Sequence, residues 1–303
     1  MAHCARILGC RAAAIPFTNL GVPVGENMTL KKNWSPIVDR VSKKLSLWKA
    51  KTLSFSGRLT LVKSVLGSIP IYYLSLFRAP CSVIDLLERC RRRFLWGGNE
   101  DKGVIPWVAW KVALADKDRG GLGIGSLKSL NIALITKWLW RLNREPNSLW
   151  RLVITGLHNL ARKPVSKLGK KTLPGVWLNN VKILDILQDC GADFDSIFKI
   201  EVSDALRAGQ EEVLLVSERI RNDGLVWSWS RKPVSQQEMI DLANIEGELE
   251  GCSLSAVPDK WTSRLAGDGT FYVADLRKKI DRSLTDSMPN VTVWIPTVPL
   301  KVN

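Results

Sequence analysis

Apolar positions recur at helical spacing through three consecutive stretches between Trp34 and Trp96. In the first, Trp34, Ile37, Val38, Val41, Leu45 and Trp48 form one stripe, and Arg40 and Lys43 point away from it. Ser35 is read as the N-cap and Pro36 as the first helical residue, where a missing N–H costs nothing. The second pattern starts near Ser56-Gly57 and carries Leu59, Val62, Val65, Leu66 and Ile69 inward. Pro70 ends it, because proline disfavours helix in the residue before it. The third runs from about Ser82 to Trp96 with Val83, Leu87, Cys90 and Phe94 as its core stripe and Arg89, Arg92 and Arg93 opposite. Asp85 and Glu88 stand four residues ahead of Arg89 and Arg92, a spacing that predicts intrahelical pairing. Gly97-Gly98 supplies a C-cap.

Glycine and proline at alternate sites predict a short, bent strand within residues 1–30, around Ile15-Pro16-Phe17 and Leu20 to Gly25. The run Gly120-Gly121-Leu122-Gly123-Ile124-Gly125 has neither the Rossmann spacing nor the Gly-Lys-Ser/Thr of a P-loop, so it reads as a tight turn before a helix. That helix spans about Ser126 to Asn143. Leu127, Leu130, Leu134, Trp138 and Leu142 form its stripe, and Ile132, Ile135 and Leu139 widen it until most of the girth is apolar, the mark of a buried helix. A shorter helix runs from Ser148 to Leu157. Arg162 to Gly175, with prolines, glycines and five basic residues, reads as a linker. Beyond it, Trp177 to Leu187 suits helix or strand, Val202 to Arg221 and Val234 to Glu250 suit helices, and Trp227-Ser228-Trp229 suits a strand. Trp261 to Val273 predicts a hairpin turning at Gly267-Asp268-Gly269, followed by a short helix from Asp275 to Ser283.

The string W-K-A-K-T-L-S-F-S-G-R-L-T-L-V-K-S-V-L-G-S-I-P-I-Y (Trp48 to Tyr72) resembles the segment just after the polymerase core of LINE-type (non-LTR) retrotransposon reverse transcriptases, most of all those carried in plant genomes. The resemblance reaches back to Pro16–Gly25 (P-F-T-N-L-G-V-P-V-G). It extends forward through Arg92–Gly98 (R-R-F-L-W-G-G), Ile105–Trp110 (I-P-W-V-A-W), Gly120–Leu127 and Asn131–Arg141, so it covers about residues 5–155. It continues more weakly through Asp259–Val273 and Val298–Asn303. It implies a palm-to-thumb hairpin remnant over 1–30, a basic helical thumb-like domain over 31–160, a linker over 161–176 and a smaller α/β segment over 177–303. The expected fold is therefore mainly α: a helical thumb-like bundle followed by a smaller mixed α/β segment. The family has an aromatic residue before Leu-Gly in the hairpin, where this chain has Asn19. By the resemblance, the palm would lie before Met1 and the Cys/His-rich region after Asn303.

Charge sharpens this picture. Residues 1–172 hold 30 Lys and Arg against 9 Asp and Glu, a net +21, whereas residues 173–303 hold 14 against 20, a net −6. A basic first part joined to a mildly acidic second part predicts a polyanion-facing first domain. A thumb grips the duplex backbone, which calls for cations on helix faces and amides at helix starts. The candidate nucleic-acid contacts are Lys49, Lys51, Ser54, Ser56, Arg58, Lys63, Arg92 and Arg93; the tryptophans read mostly as core, with base stacking by an exposed Trp107 or Trp110 as the lesser alternative. RNA or an RNA–DNA duplex is the expected partner, together with a palm-containing polymerase chain.

Two-metal nucleotide transfer needs clustered carboxylates, and the chain contains no Asp-Asp pair. No catalytic residue is therefore expected in this chain, which alone should be inactive; the parent polymerase would hold Mg²⁺ through its palm. Two histidines and six scattered cysteines without a C-x-x-C pair predict free thiols and no zinc site. No uncharged apolar run reaches about 18 residues, and the first residues lack the apolar core of a signal peptide, so an intracellular protein without membrane spans or a small-molecule substrate is expected. The rival expectation is a structural or protein-interaction module, or the product of a decayed element without a selected role.

Overall fold

The structure is a computed structural model that describes residues 14–47, 52–98, 105–158, 175–192, 194–201, 220–221, 224–225, 235–236, 239–240, 243 and 260–285. It is mainly α, with three two-stranded antiparallel ladders among the described residues. The chain forms two compact units: Met1–Thr136 joined by Val273–Asn303, and Lys137–Tyr272. This division differs from the one that composition suggests. It falls inside a long helix, and the last described helix returns to the first unit. The proposed linker, 161–176, lies almost wholly outside the described residues.

In the first unit, β1 (Phe17–Asn19) and β2 (Val22–Val24) pair antiparallel, Asn19 opposite Val22, across a two-residue turn with both central φ angles positive. Leu20 takes φ 49° there and Gly21 φ 78°. The Tyr73 hydroxyl donates to the Gly21 carbonyl at 2.7 Å and pins the turn to the helices. Helix α1 (Ser35–Leu47) is entered through a 3-10 turn at Lys31–Trp34. Ser35 is thus helical (φ −51°, ψ −40°) and is not the N-cap. The entry is held by Trp34, fully buried, whose indole N–H donates to the Met28 carbonyl.

Helix α2 (Phe55–Leu61) is capped by Ser54, whose side chain accepts from the Gly57 amide, and it continues as a π-helical turn over Val62–Leu66. That run ends at Leu66, with Gly67 as its C-cap, short of the Pro70 expected to stop it, and a further short helix, α3 (Ile71–Leu76), starts directly after Pro70. Helix α4 (Cys81–Leu95) ends at Gly97, φ 78°, with the Gly98 amide donating to the Arg93 carbonyl, so the glycine C-cap forms. Trp34, Ile37, Val41, Val62, Leu66, Val83, Leu87 and Phe94 meet in one core.

After α5 (Trp110–Leu114) the glycine run folds back on that helix. The amides of Leu122, Gly123 and Gly125 donate to the carbonyls of Ala113, Ala115 and Leu114. These amides are therefore occupied, which agrees with a turn and leaves no phosphate cradle. Helix α6 (Leu127–Arg144) follows, buried round most of its girth by Leu127, Leu130, Ile132, Ile135, Leu139 and Leu142. Asn131 projects from it into the core. It accepts from the Ala79 amide and donates to the carbonyls of Leu74 and Phe77, satisfying the end of α3. An unpaired buried group costs about 1–3 kcal/mol, so Asn131→Ala is expected to destabilise the chain by roughly 2–3 kcal/mol in urea unfolding.

In the second unit, α7 (Leu149–His158) is followed by α8 (Val176–Val181), α9 (Ile183–Asp189) and the single turn α10 (Phe194–Ile197), so Trp177 to Leu187 is helical. Strand β3 (Phe198–Glu201) comes next, then the two-residue ladder of β4 (Ile220–Arg221) with β5 (Gly224–Leu225), and then β6 (Lys260–Ser263). The expected hairpin within Trp261–Val273 is corrected here: β6 pairs with β3, Phe198 opposite Ser263, and not with the residues after the turn. The turn at Gly267–Gly269 does form, closed by the Ser263 amide on the Gly269 carbonyl. Beyond it, Phe271 joins Trp140 and Phe198 in an aromatic core instead of forming a strand. Ile220 and Arg221, expected at the end of a helix, form β4; the rest of that pattern, the Trp227–Trp229 strand and most of Val234–Glu250 lie outside the described residues.

The last described helix, α11 (Val273–Thr285), extends past both ends of the expected Asp275–Ser283. Its Leu276 and Ile280 are fully buried in the first unit.

Candidate nucleic-acid interface

The beginning of α2 and the end of α4, which lie almost forty residues apart in the chain, are joined by one side chain. Arg58 donates from Nε to the Leu95 carbonyl at 2.8 Å and from Nη1 to the Leu53 carbonyl at 2.7 Å. The carbonyls of a helix's last turn lack intrahelical donors and carry the negative end of its dipole, so a guanidinium there acts as a C-terminal cap. Burial pushes the Arg58 pKa down from its ordinary value. Arg58, expected among the phosphate contacts, therefore spends its charge inward.

The junction brings the predicted residues of both helices together. Ser54 and Ser56 stand exposed at the start of α2, the Ser54 hydroxyl already taken by the Gly57 amide. Arg92 and Arg93 are exposed in the last turn of α4. They stand four and three residues before Trp96, so they share its end of the helix. Trp96 stacks on Phe55 with ring centroids 5.7 Å apart, which closes the junction with an aromatic contact. Lys49 and Lys51, the other two predicted contacts in this region, lie outside the described residues.

Lys63 sits apart from this junction, on the π-helical turn. A side chain on Gly123 would come within 3.6 Å of Lys63 Nζ and 3.3 Å of the Lys117 stem, so the Lys63 ammonium and the base of Lys117 border one glycine. Gly123 also takes φ 63°, so both its backbone and its lack of a side chain suit the position. Burial, with Lys117 as a second cause, pushes the Lys63 pKa down. Among the described residues neither ammonium has a carboxylate within ion-pair distance. Lys117 belongs to this arrangement without any local pattern that would single it out: it stands 54 positions from Lys63 and the proximity is purely tertiary.

Arg91 was also hidden within the basic run Arg89–Arg93. It is 2% exposed and pairs with Glu88 at 2.9 Å, in place of the expected pairing of Glu88 with Arg92. Its other bonds go to the carbonyls of Gly125 and Ile124 at 3.2–3.4 Å. Glu88 also accepts from the Trp110 indole at 3.1 Å and from the Leu127 amide at the start of α6, at 2.7 Å. Arg277 of α11 donates to the Ile124 carbonyl, and Asp281 accepts from the Ser126 amide. This charged node fixes the glycine run, and hence Gly123 and Lys117, against α4. Helical phase carries the signal that would have found it, since 84, 87, 91 and 94 fall on one face.

Of the two candidate stacking residues, Trp110 is half-buried with its N–H bound to Glu88, while Trp107 is 64% exposed. Among the described residues, no group of three or more His, Cys, Asp and Glu side chains is placed to hold a metal ion, and no helix is long and apolar enough to cross a membrane. Cys81 is an exposed free thiol.

No protein-family model matches the chain. It is 44% identical over 133 residues to an Arabidopsis thaliana protein named "Putative ribonuclease H protein"; the match covers 44% of this chain and 22% of that relative, so the chain spans about a fifth of its length. It is 28% identical over 140 residues to an uncharacterized mitochondrial protein of the same plant, a match covering 37% of this chain and 91% of that relative.

Proposed function

We propose that the chain is a retroelement-derived fragment that holds a nucleic-acid duplex, preferably an RNA–DNA hybrid, by its phosphate backbone. In this reading it corresponds to the thumb and connecting segment of a LINE-type reverse transcriptase and works beside a palm supplied by a polymerase chain. The observation that carries the reading is Lys63, half-buried on the π-helical turn, its pKa lowered by burial and then by Lys117, with no carboxylate within ion-pair distance among the described residues. Desolvation, with a second cation as a lesser influence, disfavours the Lys63 ammonium in the free chain, and a bound phosphate offsets that cost. The +21 balance of residues 1–172 and the exposed Arg92 and Arg93 support the same ligand. The similarity to a protein named for ribonuclease H supports both the retroelement origin and the RNA–DNA ligand.

A second reading, a protein-interaction module, has one observation behind it: Leu149, Leu152, Val153 and Leu157 stand exposed on one face of α7. Salt separates the two. Titration of a labelled RNA–DNA hybrid at about 50 and 200 mM salt is expected to show affinity falling by more than about tenfold, because each neutralised phosphate releases condensed counterions. Absence of binding at the lower salt, or binding indifferent to salt, would overturn the phosphate reading and leave the interaction module.

A further inference from the structure

Trp107 is held flat in an aromatic stack while most of its surface stays open. Its ring lies parallel to Phe55, 2° apart with centroids at 6.4 Å, and it meets Trp96 at 6.3 Å and 31°. Trp96 is buried and Phe55 half-buried, so the two inner rings belong to the core, yet Trp107 is 64% exposed. An exposed tryptophan fixed in orientation by two others is an unusual use of a large apolar surface, since rotation into solvent would restore its entropy at little cost. The surroundings give the ligand's chemistry. Arg92 and Arg93 stand one helical turn before Trp96, exposed, and their guanidinium groups make no hydrogen bond or ion pair among the described residues. A flat aromatic surface, with exposed guanidinium groups one helical turn from the Trp96 that supports it, is complementary to a flat aromatic group that carries an anion.

We propose that Trp107 is a stacking platform for an unpaired nucleobase at a single-stranded end next to the duplex, with Arg92 and Arg93 taking the adjoining phosphates. This rests on the nucleic-acid reading above and adds to it a preference for duplexes with an overhang. Stacking on an aromatic ring tolerates any base, because each presents a π-face, so the preference is for single-strandedness and not for sequence.

The test compares a blunt RNA–DNA hybrid with one bearing a short overhang that contains 2-aminopurine. The intact chain is expected to bind the overhang substrate more tightly and to quench the 2-aminopurine. Trp107→Ala is expected to weaken overhang binding by about 5- to 150-fold while blunt-hybrid affinity and the salt dependence stay as they were. Trp107→Phe should keep most of the preference. Trp107→Leu, which keeps apolar cover on Phe55 and Trp96 but removes the aromatic plane, should lose it while still binding blunt hybrid, so a folding defect in the alanine variant does not decide the matter. A chain that binds blunt hybrid with steep salt dependence but shows no overhang preference or quenching, or keeps both in Trp107→Leu, overturns the platform alone. A chain that binds neither substrate at low salt overturns the platform together with the phosphate reading.

Discussion

Glu88→Ala is expected to cost the first unit about 3–5 kcal/mol, read as a lower urea midpoint for loss of helical circular dichroism. The substitution strands three donors at once: the Arg91 guanidinium, the Trp110 indole and the Leu127 amide. Arg91 is the costly one, because it is 2% exposed and would remain as a buried charge whose only acceptors are backbone carbonyls. Burial already pushes its pKa down, with Glu88 as the leading influence in the other direction. Replacing both partners is a different experiment. Glu88→Leu with Arg91→Met removes the stranded charge and fills the space, and it is expected to recover most of the loss, since buried ion pairs exchange for apolar residues at little net cost. A single variant within about 1 kcal/mol of the intact chain would show that this node does not hold the glycine run in place.

How much of this was readable in advance follows from the range of each interaction. Helix positions were readable where periodicity is local: Trp34 at the entry to α1, Ile37 and Val41 on it, and Leu127, Leu130, Ile135, Leu139 and Leu142 on α6 are buried as their spacing implies. Gly97 was readable as a cap because a left-handed residue after an apolar run has few other uses. The entry to α1 was not, since Asn27, Met28 and Trp34 build it from a turn and one indole bond that compete with the capping preference of Ser35. Pro70, expected as an end, stands at a beginning: the run before it stops at Leu66, and the fixed φ of proline suits the residue before α3.

Long-range partners were the larger loss. The Gly267–Gly269 turn signalled a local hairpin, yet β6 found its partner in β3, more than sixty residues earlier, because the aromatic core of Trp140, Phe198 and Phe271 draws the chain after the turn into packing. Charge counting placed everything after residue 172 in one acidic part. Helix α11 nevertheless belongs to the first unit, where Arg282 faces Asp116 and Arg277 lies against Gly125. In the candidate site, Arg92 and Arg93 could be picked out as exposed cations from helical phase alone. Arg58 and Arg91 could not be told from them by residue type; helical phase sets Arg91 on the buried face, and the carbonyls that Arg58 meets mark it as a cap. Trp107 and Trp110 differ in the same way, by what their rings and N–H groups meet.

The phosphate reading is tested most directly by the salt slope of hybrid binding in a chain carrying Lys63→Ala, Lys117→Ala, Arg92→Ala and Arg93→Ala together. None of the four side chains is fully buried, so the unfolding midpoint is expected to move little. If each neutralises one phosphate, the slope of log K against log salt becomes shallower by about three to four units on B-form DNA, and by a comparable amount on a hybrid. The affinity lost between about 50 and 200 mM salt then shrinks by roughly a hundredfold, equally for duplexes of any sequence. A folded quadruple variant whose slope matches that of the intact chain would contradict the assignment of the backbone grip to these residues.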